Sequence, residues 1–220
     1  YAVAVQHEVI NTGSASASPQ LYLQLVRDGN KPPGESSIYS TFTGPAVYTN
    51  EKKYQKVEFK KIDEGKVDIE KSSTDGYVAM VQHYFASAWL LGDGIERTLF
   101  MRKVNASPSS MDMITYSVGM ITPLGTLAPG ASKTLDARLF AGPQIEKTLE
   151  SLTPGLELVK DYGWLTILAK PLYWLLDKIH SFLGNWGWAI VGLVLLLKIM
   201  FYWLNAKAYA SMAKMKAVNP

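Results

Sequence analysis

Through residues 1–140, apolar and polar positions alternate in short runs separated by glycine, proline and serine, and beyond them the period lengthens to that of a helix. Tyr1–Ile10 puts Val3, Val5, His7 and Val9 on one face, and Leu21–Val26 repeats the pattern through Leu21, Leu23 and Leu25. Short alternating runs follow at Lys56–Phe59 and Lys66–Glu70. Gly76–Trp89 is apolar on both faces and predicts a strand buried inside a packed structure. Further strands are expected at Arg97–Val104, Met111–Ile121 and Ser132–Phe140. Asn11–Pro19, Asp28–Tyr39 and Gly92-Asp93-Gly94 supply loops and turns. Many short strands with no helical period between them predict an antiparallel β-sandwich over residues 1–142.

The remaining chain divides by pattern. Over 143–160, Pro143 stands at a first helical position, followed by Glu146 and by Ile145, Leu149 and Leu152 at helical spacing. This predicts a short helix and linker ended by Thr153-Pro154-Gly155. Over 161–184, Lys170, Asp177, Lys178 and Ser181 share one narrow helical face and apolar side chains cover the rest, with Pro171 as a start or kink. Such a helix covers a core or lies in the membrane plane, and the span that follows directly favours the interface. Over 185–204, Trp186–Leu204 is apolar except for Lys198; at 1.5 Å per residue it extends about 28 Å, close to a hydrocarbon core of about 30 Å. Tyr162, Trp164, Trp174, Trp186 and Trp188 before or at its start, and Tyr202 and Trp203 at its end, suit interfacial anchors. Residues 205–220 carry Lys207, Lys214 and Lys216 and no acid, which marks that end as cytoplasmic and residues 1–184 as external. The chain opens inside a strand-like alternation, without Met or a leader, and is expected to be a piece of a longer protein whose upstream part exports it.

Composition narrows the classes. A net charge of +3 is too small to suggest a nucleic-acid partner. The mean hydropathy of +0.02 averages a polar first part and a very apolar second. Without cysteine there are no disulfides and no thiolate metal sites. No phosphate-binding loop, dinucleotide fingerprint or metal-spaced histidine pair is present, so no catalytic residue, cofactor or metal is expected. His7 and His83 each share a strand face with apolar residues and read as hydrogen-bonded groups at the edge of a core. With a carboxylate such as Glu96 they could in principle do acid–base work on a sugar, but nothing in their spacing selects for it. His180 reads as a polar tip at the headgroups.

Lys198 admits two readings. A charge inside a span costs about 2.5–3.5 kcal/mol at its centre and by default marks function; alternatively its stem snorkels to the nearby interface. Gly192, with Gly187 before it, offers a small-residue notch for a neighbouring helix.

Several stretches together resemble the YidC/Oxa/Alb family of bacterial membrane protein insertases, in its Gram-negative form. They are Asp75–Trp89 (DGYVAMVQHYFASAW), Leu139–Ile145 (LFAGPQI), Asp161–Trp164 (DYGW), Ile179–Gly187 (IHSFLGNWG) and Tyr209–Met215 (YASMAKM). The resemblance implies that the sandwich is part of a periplasmic β-supersandwich similar in fold to galactose mutarotase. It also implies an inner-membrane location, an interfacial helix over 161–184, the first core membrane helix over 185–204, and the start of a cytoplasmic helical hairpin from 205. Implied partners are nascent membrane proteins, the Sec translocon and its accessory subunits, membrane lipids, and the ribosome through parts not in this chain. Family members hold a positive residue, usually arginine, in a hydrophilic intramembrane groove, and the motif places Lys198 there. Many relatives also have proline where this chain has Trp203, which puts the shape of that helix end in question. The cytoplasmic lysines either help receive substrate or meet lipid headgroups. The competing readings are a carbohydrate-binding or epimerase-like sandwich tethered by one helix, and a purely structural module for the secretion machinery.

Overall fold

The alternating runs become strands of two antiparallel sheets. One holds six strands in the order β1 (Ala2–Ile10), β10 (Ser132–Pro143), β7 (Phe85–Leu91), β6 (Tyr77–Val81), β3 (Gly44–Thr49) and β4 (Lys53–Lys56). The other holds β2 (Gln20–Asp28), β9 (Ile114–Pro123), β8 (Arg97–Asn105) and β5 (Ser72–Ser73). The computed structural model describes residues 2–30, 41–105, 114–160, 162 and 166–218. Contacts divide the chain into one unit over 1–161 and a second over 162–220.

The first unit has three layers. Leu23, Leu99, Val118 and Met120 of the four-stranded sheet pack against Val47, Val78 and Met80 of the six-stranded one. The outer face of the latter carries Tyr77, Ala79, Ala88 and Phe140, covered by α2 (Glu146–Leu152) and a 3-10 helix over Leu156–Val159. Leu149, Leu156 and Val159 have no exposed surface, and each such side chain contributes about 1.5–3 kcal/mol by leaving water. Residues 143–160, set apart as a linker by sequence pattern, therefore pack onto the sandwich. The Tyr77 hydroxyl fastens this layer, donating to the Gly155 carbonyl at 2.8 Å while its ring stacks on Tyr48. Gly155 has φ of +85°, and a Cβ there would lie 2.6 Å from the Tyr48 ring, so glycine is required twice over. Burial drives the Tyr77 phenol far above its ordinary range, and it stays a donor.

Several elements differ from the sequence expectation. Gly76–Trp89 is two strands, β6 and β7, joined by a turn in which Gln82 N donates to Phe85 O at 2.9 Å. His83 lies in that turn and not on a strand face. β3 was not anticipated: it is buried along its whole length, so no polar alternation marks it. Lys66–Glu70 forms no strand, though Ile69 still reaches the core. Phe59–Asp63 folds as a one-turn helix, α1, that inserts Ile62 into the inter-sheet core. Pro143 closes β10 instead of opening α2, whose flanking residue is Ile145. Of the loop expected over 28–39 and the strand over 111–121, residues 31–39 and 111–113 lie outside the described ones.

Arg97 is buried at the turn end of β8, and its guanidinium donates to four carbonyls: Ile95 (3.0 Å), Gly76 (2.8 Å), Thr74 (3.1 Å) and Gly92 (2.5 Å). Each donation satisfies a carbonyl left over where strands turn. Burial lowers its proton affinity, while Asp93 and Asp75 nearby raise it; an arginine stays charged throughout.

On the four-stranded side, Asp63 ties α1 to the sheet, accepting from Lys103 Nζ at 2.9 Å and from the Tyr116 hydroxyl at 2.8 Å. The Lys103 and Tyr116 hydrogen bonds hold its carboxyl below the usual carboxylate value. A depressed folded-state pKa gives stability that is present above the unfolded value, near pH 4, and lost as pH falls through the folded value. In the full-length protein, thermal midpoints of the parent and Asp63→Asn are expected to differ most above about pH 4 and to converge in stronger acid. A difference independent of pH would exclude the ionised contact as its source.

Candidate membrane-facing site

The second unit begins with α3 (Thr166–Leu183), which carries Pro171 inside it and presents Ile167, Leu168, Trp174 and Phe182 outward, each more than 60% exposed. Gly184 ends it: φ is +66°, and its N–H returns to the His180 carbonyl at 2.7 Å. Asn185 at once caps α4 (Trp186–Met200), its Oδ1 accepting from the N–H groups of Gly187 (2.8 Å) and Trp188 (3.2 Å). The His180 ring stacks on Trp186 across this corner, with centroids 3.7 Å apart and planes 10° from parallel. His180 is therefore a packing partner at a helix junction.

Two turns into α4 the helices meet again, where a Cβ on Gly192 would lie 3.4 Å from Ile179 Cγ2. Ala189, one turn earlier, has no exposed surface in a helix whose other side chains are half-exposed or exposed. Ala189, Gly192 and Leu193 follow at i, i+3 and i+4 and so share one side, the least exposed of the helix. Lys198 is nine residues from Ala189, two and a half turns, and projects from the opposite side together with Val191, Val194 and Leu195. It is exposed and makes no ion pair with a described residue. No Asp or Glu occurs from residue 178 to 220, so its charge has no acid in this segment to neutralise it.

The nineteen-residue span read from the sequence is interrupted. α4 stops at Met200 after 15 residues, about 22 Å, and α5 (Tyr202–Val218) begins past Phe201, whose φ of −92° and ψ of 4° leave the helical region. Among the described residues no single helix is long and apolar enough to cross a membrane, whereas Trp186–Met200 and Asn205–Met212 pass that test as a pair bent by 58°. The bend comes without proline or glycine: Phe201 N still donates to Leu197 O, and Asn205 N to Phe201 O. Lys198 consequently lies in the last turn of α4, where the negative end of the helix dipole favours a cation. Of the aromatic anchors, Trp174 is exposed midway along α3 and Trp188 in the first turn of α4, and Tyr202 and Trp203 are exposed just past the bend. Tyr162 is half-buried, and Trp164 lies outside the described residues. Lys207 sits over the Trp203 ring, 4.2 Å from its centroid. Lys214 and Lys216 belong to the backbone of α5, and their side chains lie outside the described residues.

The histidines of the sandwich do not come together. His7 pairs in register with Leu135, whereas the turn holding His83 is tied to Gln144, nine residues along β10 and so about 30 Å away. His7 Nε2 is buried without a hydrogen-bond partner, contrary to the expectation of a hydrogen-bonded group. His83 Nδ1 pairs with the Thr41 hydroxyl, and its ring meets Tyr84 edge-on. Glu96 lines an acidic hollow with Glu51, Glu70 and Asp75, at the β7–β8 turn. Among the described residues, no three His, Asp or Glu side chains are grouped to hold a metal.

An antiparallel sandwich is followed in this chain by a bent helix pair that could cross a membrane by length and composition. Residues 1–175 match the family model of the YidC periplasmic domain, and 178–220 match that of the 60Kd inner membrane protein. Relatives named membrane protein insertase YidC are 54% identical over 220 residues in Cupriavidus metallidurans and in Cupriavidus necator. One from Burkholderia cenocepacia is 50% identical over 221 residues. This chain therefore belongs to the YidC family, and its place is the bacterial inner membrane with a periplasmic domain. It spans 38% of the length of these relatives.

The Gly192 contact makes a graded prediction. Gly192→Ala places its methyl at ordinary contact distance and is expected to change stability by less than about 1 kcal/mol, whereas Gly192→Leu must push Ile179 aside at about 1–3 kcal/mol. Thermal unfolding of the full-length protein in detergent, followed by tryptophan fluorescence, compares the two. Equal effects would mean that the helices do not approach there.

Proposed function

We propose that this chain is the portion of a membrane protein insertase that joins the periplasmic sandwich to the first wall of an intramembrane groove, with Lys198 supplying positive potential. The observation that supports it most is the placement of Lys198: it is the one charge in α4, set opposite the side that packs on α3 and without an acid in 178–220. That side is free for the helices the longer relatives contain. A positive, hydrated surface shortens the apolar barrier for a substrate's polar or acidic tail, and burial of the substrate's own apolar segment in lipid then drives insertion. No bond is made or broken, so the role is that of a chaperone and translocation factor and not of an enzyme. Lysine keeps the charge of the family's usual arginine but not its planar fork.

In this reading α3 lies at the external face of the bilayer with its apolar side in lipid, α4 crosses, and α5 opens the cytoplasmic hairpin, oriented by Lys207, Lys214 and Lys216. Its partners are nascent membrane proteins and lipids, with the Sec translocon as a cooperating complex and the ribosome engaged by parts beyond this chain. The tethered-epimerase reading is disfavoured by the separation of about 30 Å between the His7 and His83 positions.

Lys198→Ala in the full-length protein is expected to slow insertion of a substrate with an acidic translocated tail about tenfold or more, and Lys198→Arg to preserve it. An in vitro insertion assay scored by protease protection of the tail reads this directly. Undiminished insertion by the alanine variant would contradict the groove role. Loss in both variants would instead point to a lysine-specific packing role.

A further inference from the structure

Three strands change character at one end of the sandwich. The core-facing row of β2 runs Leu21, Leu23, Leu25 and then Arg27. That of β6 runs Val78, Met80 and, in the turn, Gln82; that of β7 runs back from Trp89 through Ser87 to Phe85. Met80 stands opposite Ser87, and Val78 opposite Trp89, so these side chains share the face between the sheets. Beside them lies a cavity of about 140 Å³ lined by Arg27, Gln82, Phe85 and Ser87, together with Leu25 and Met80.

Arg27 is incompletely paired. Only 12% of its side chain is exposed; Nε lies 3.5 Å from Asp28 Oδ1, and Nη2 donates to the Asn30 carbonyl at 3.2 Å. Nη1 is buried and has no hydrogen-bond partner. A pairing with Asp28 alone leaves that donor unexplained, and a buried donor is costly unless something accepts from it. The cavity is far smaller than the roughly 300–1,000 Å³ of a cofactor site, yet large enough for a carboxylate on a short stem. Of its lining residues Val26 and Phe85 are each more than half exposed, an apolar rim suited to the residues flanking such a group.

We propose that this mouth is a binding site for a carboxylate carried by a peptide chain, either an Asp or Glu side chain or a free C-terminus, held by Arg27 Nη1. Gln82 and Ser87 give the cavity further hydrogen-bonding capacity. The site belongs to the sandwich and does not depend on the groove at Lys198. It gives the periplasmic domain a recognition task of its own.

The test uses the full-length protein in nanodiscs and three probes: acetyl-Ala-Glu-Ala-amide, acetyl-Ala-Ala-Ala with a free carboxylate, and acetyl-Ala-Gln-Ala-amide. Calorimetric titration is expected to show saturable binding of at least one acidic probe and none of the glutamine one; which acidic probe binds identifies the source of the carboxylate. Arg27→Gln is expected to weaken that binding about tenfold or more. Ser87→Asp places a carboxylate at the cavity from within the chain and is expected to block the probe while leaving or raising the thermal midpoint. Its result stands even if Arg27→Gln fails to fold. The proposal is overturned if glutamate and glutamine probes bind alike, if neither acidic probe saturates at about 10 mM, or if Ser87→Asp binds as well as the parent.

Discussion

The close approach of α3 and α4 at Gly192 governs the second unit. Because the glycine offers no side chain, Ile179 settles against the helix, and the His180–Trp186 stack closes the corner nearer the turn. Gly184 and Asn185 allow the chain to stop one helix and start the next within two residues. Once those contacts are made, the remaining faces of α4 are assigned: Ala189 is covered, and Lys198 looks the other way. A bulky residue at 192 would free α4 to rotate, and the direction of its single charge would no longer be defined.

The two units satisfy the hydrophobic effect in opposite ways. In the sandwich, most side chains that face between the sheets or under α2 are buried or half-buried, and polar backbone groups at the turns are gathered by Arg97 or the Tyr77 hydroxyl. In the helical unit, large apolar residues such as Ile199, Phe182 and Trp188 stay exposed, a surface that suits lipid better than water. One chain can carry both because proline and glycine punctuate it at Pro143, Pro154-Gly155 and Gly184.

Period-2 alternation revealed most of the sandwich, since edge and outer strands such as β1, β2 and β10 have one wet face. It failed where strands are wet on neither side: β3 went unseen, and β6 and β7 merged, because their turn, Gln82-His83-Tyr84, holds neither glycine nor proline. At the membrane-facing site, Lys198 and the small residue at 192 were legible from composition. That Lys198 falls in the last turn of its helix needed a boundary at Met200 that Met-Phe-Tyr does not announce. Trp203, read as a departure from the proline that the resemblance implies in many relatives, left the shape of this helix end open, and the chain bends nearby without a proline. Arg27 was invisible as a site because a charge that ends an alternating run reads as the strand reaching solvent.

The central claim is that α4 has a wet side bearing Lys198 and a packed side bearing Gly192. Single cysteines introduced along α4 of a cysteine-free full-length protein, in inside-out vesicles, measure this by their reaction with a membrane-impermeant maleimide. Val194→Cys, Leu195→Cys and Lys198→Cys are expected to label from the cytoplasmic side, and Ala189→Cys, Gly192→Cys and Leu193→Cys to resist. Labelling that ignores helical face, or that favours the Ala189 side, would contradict the account.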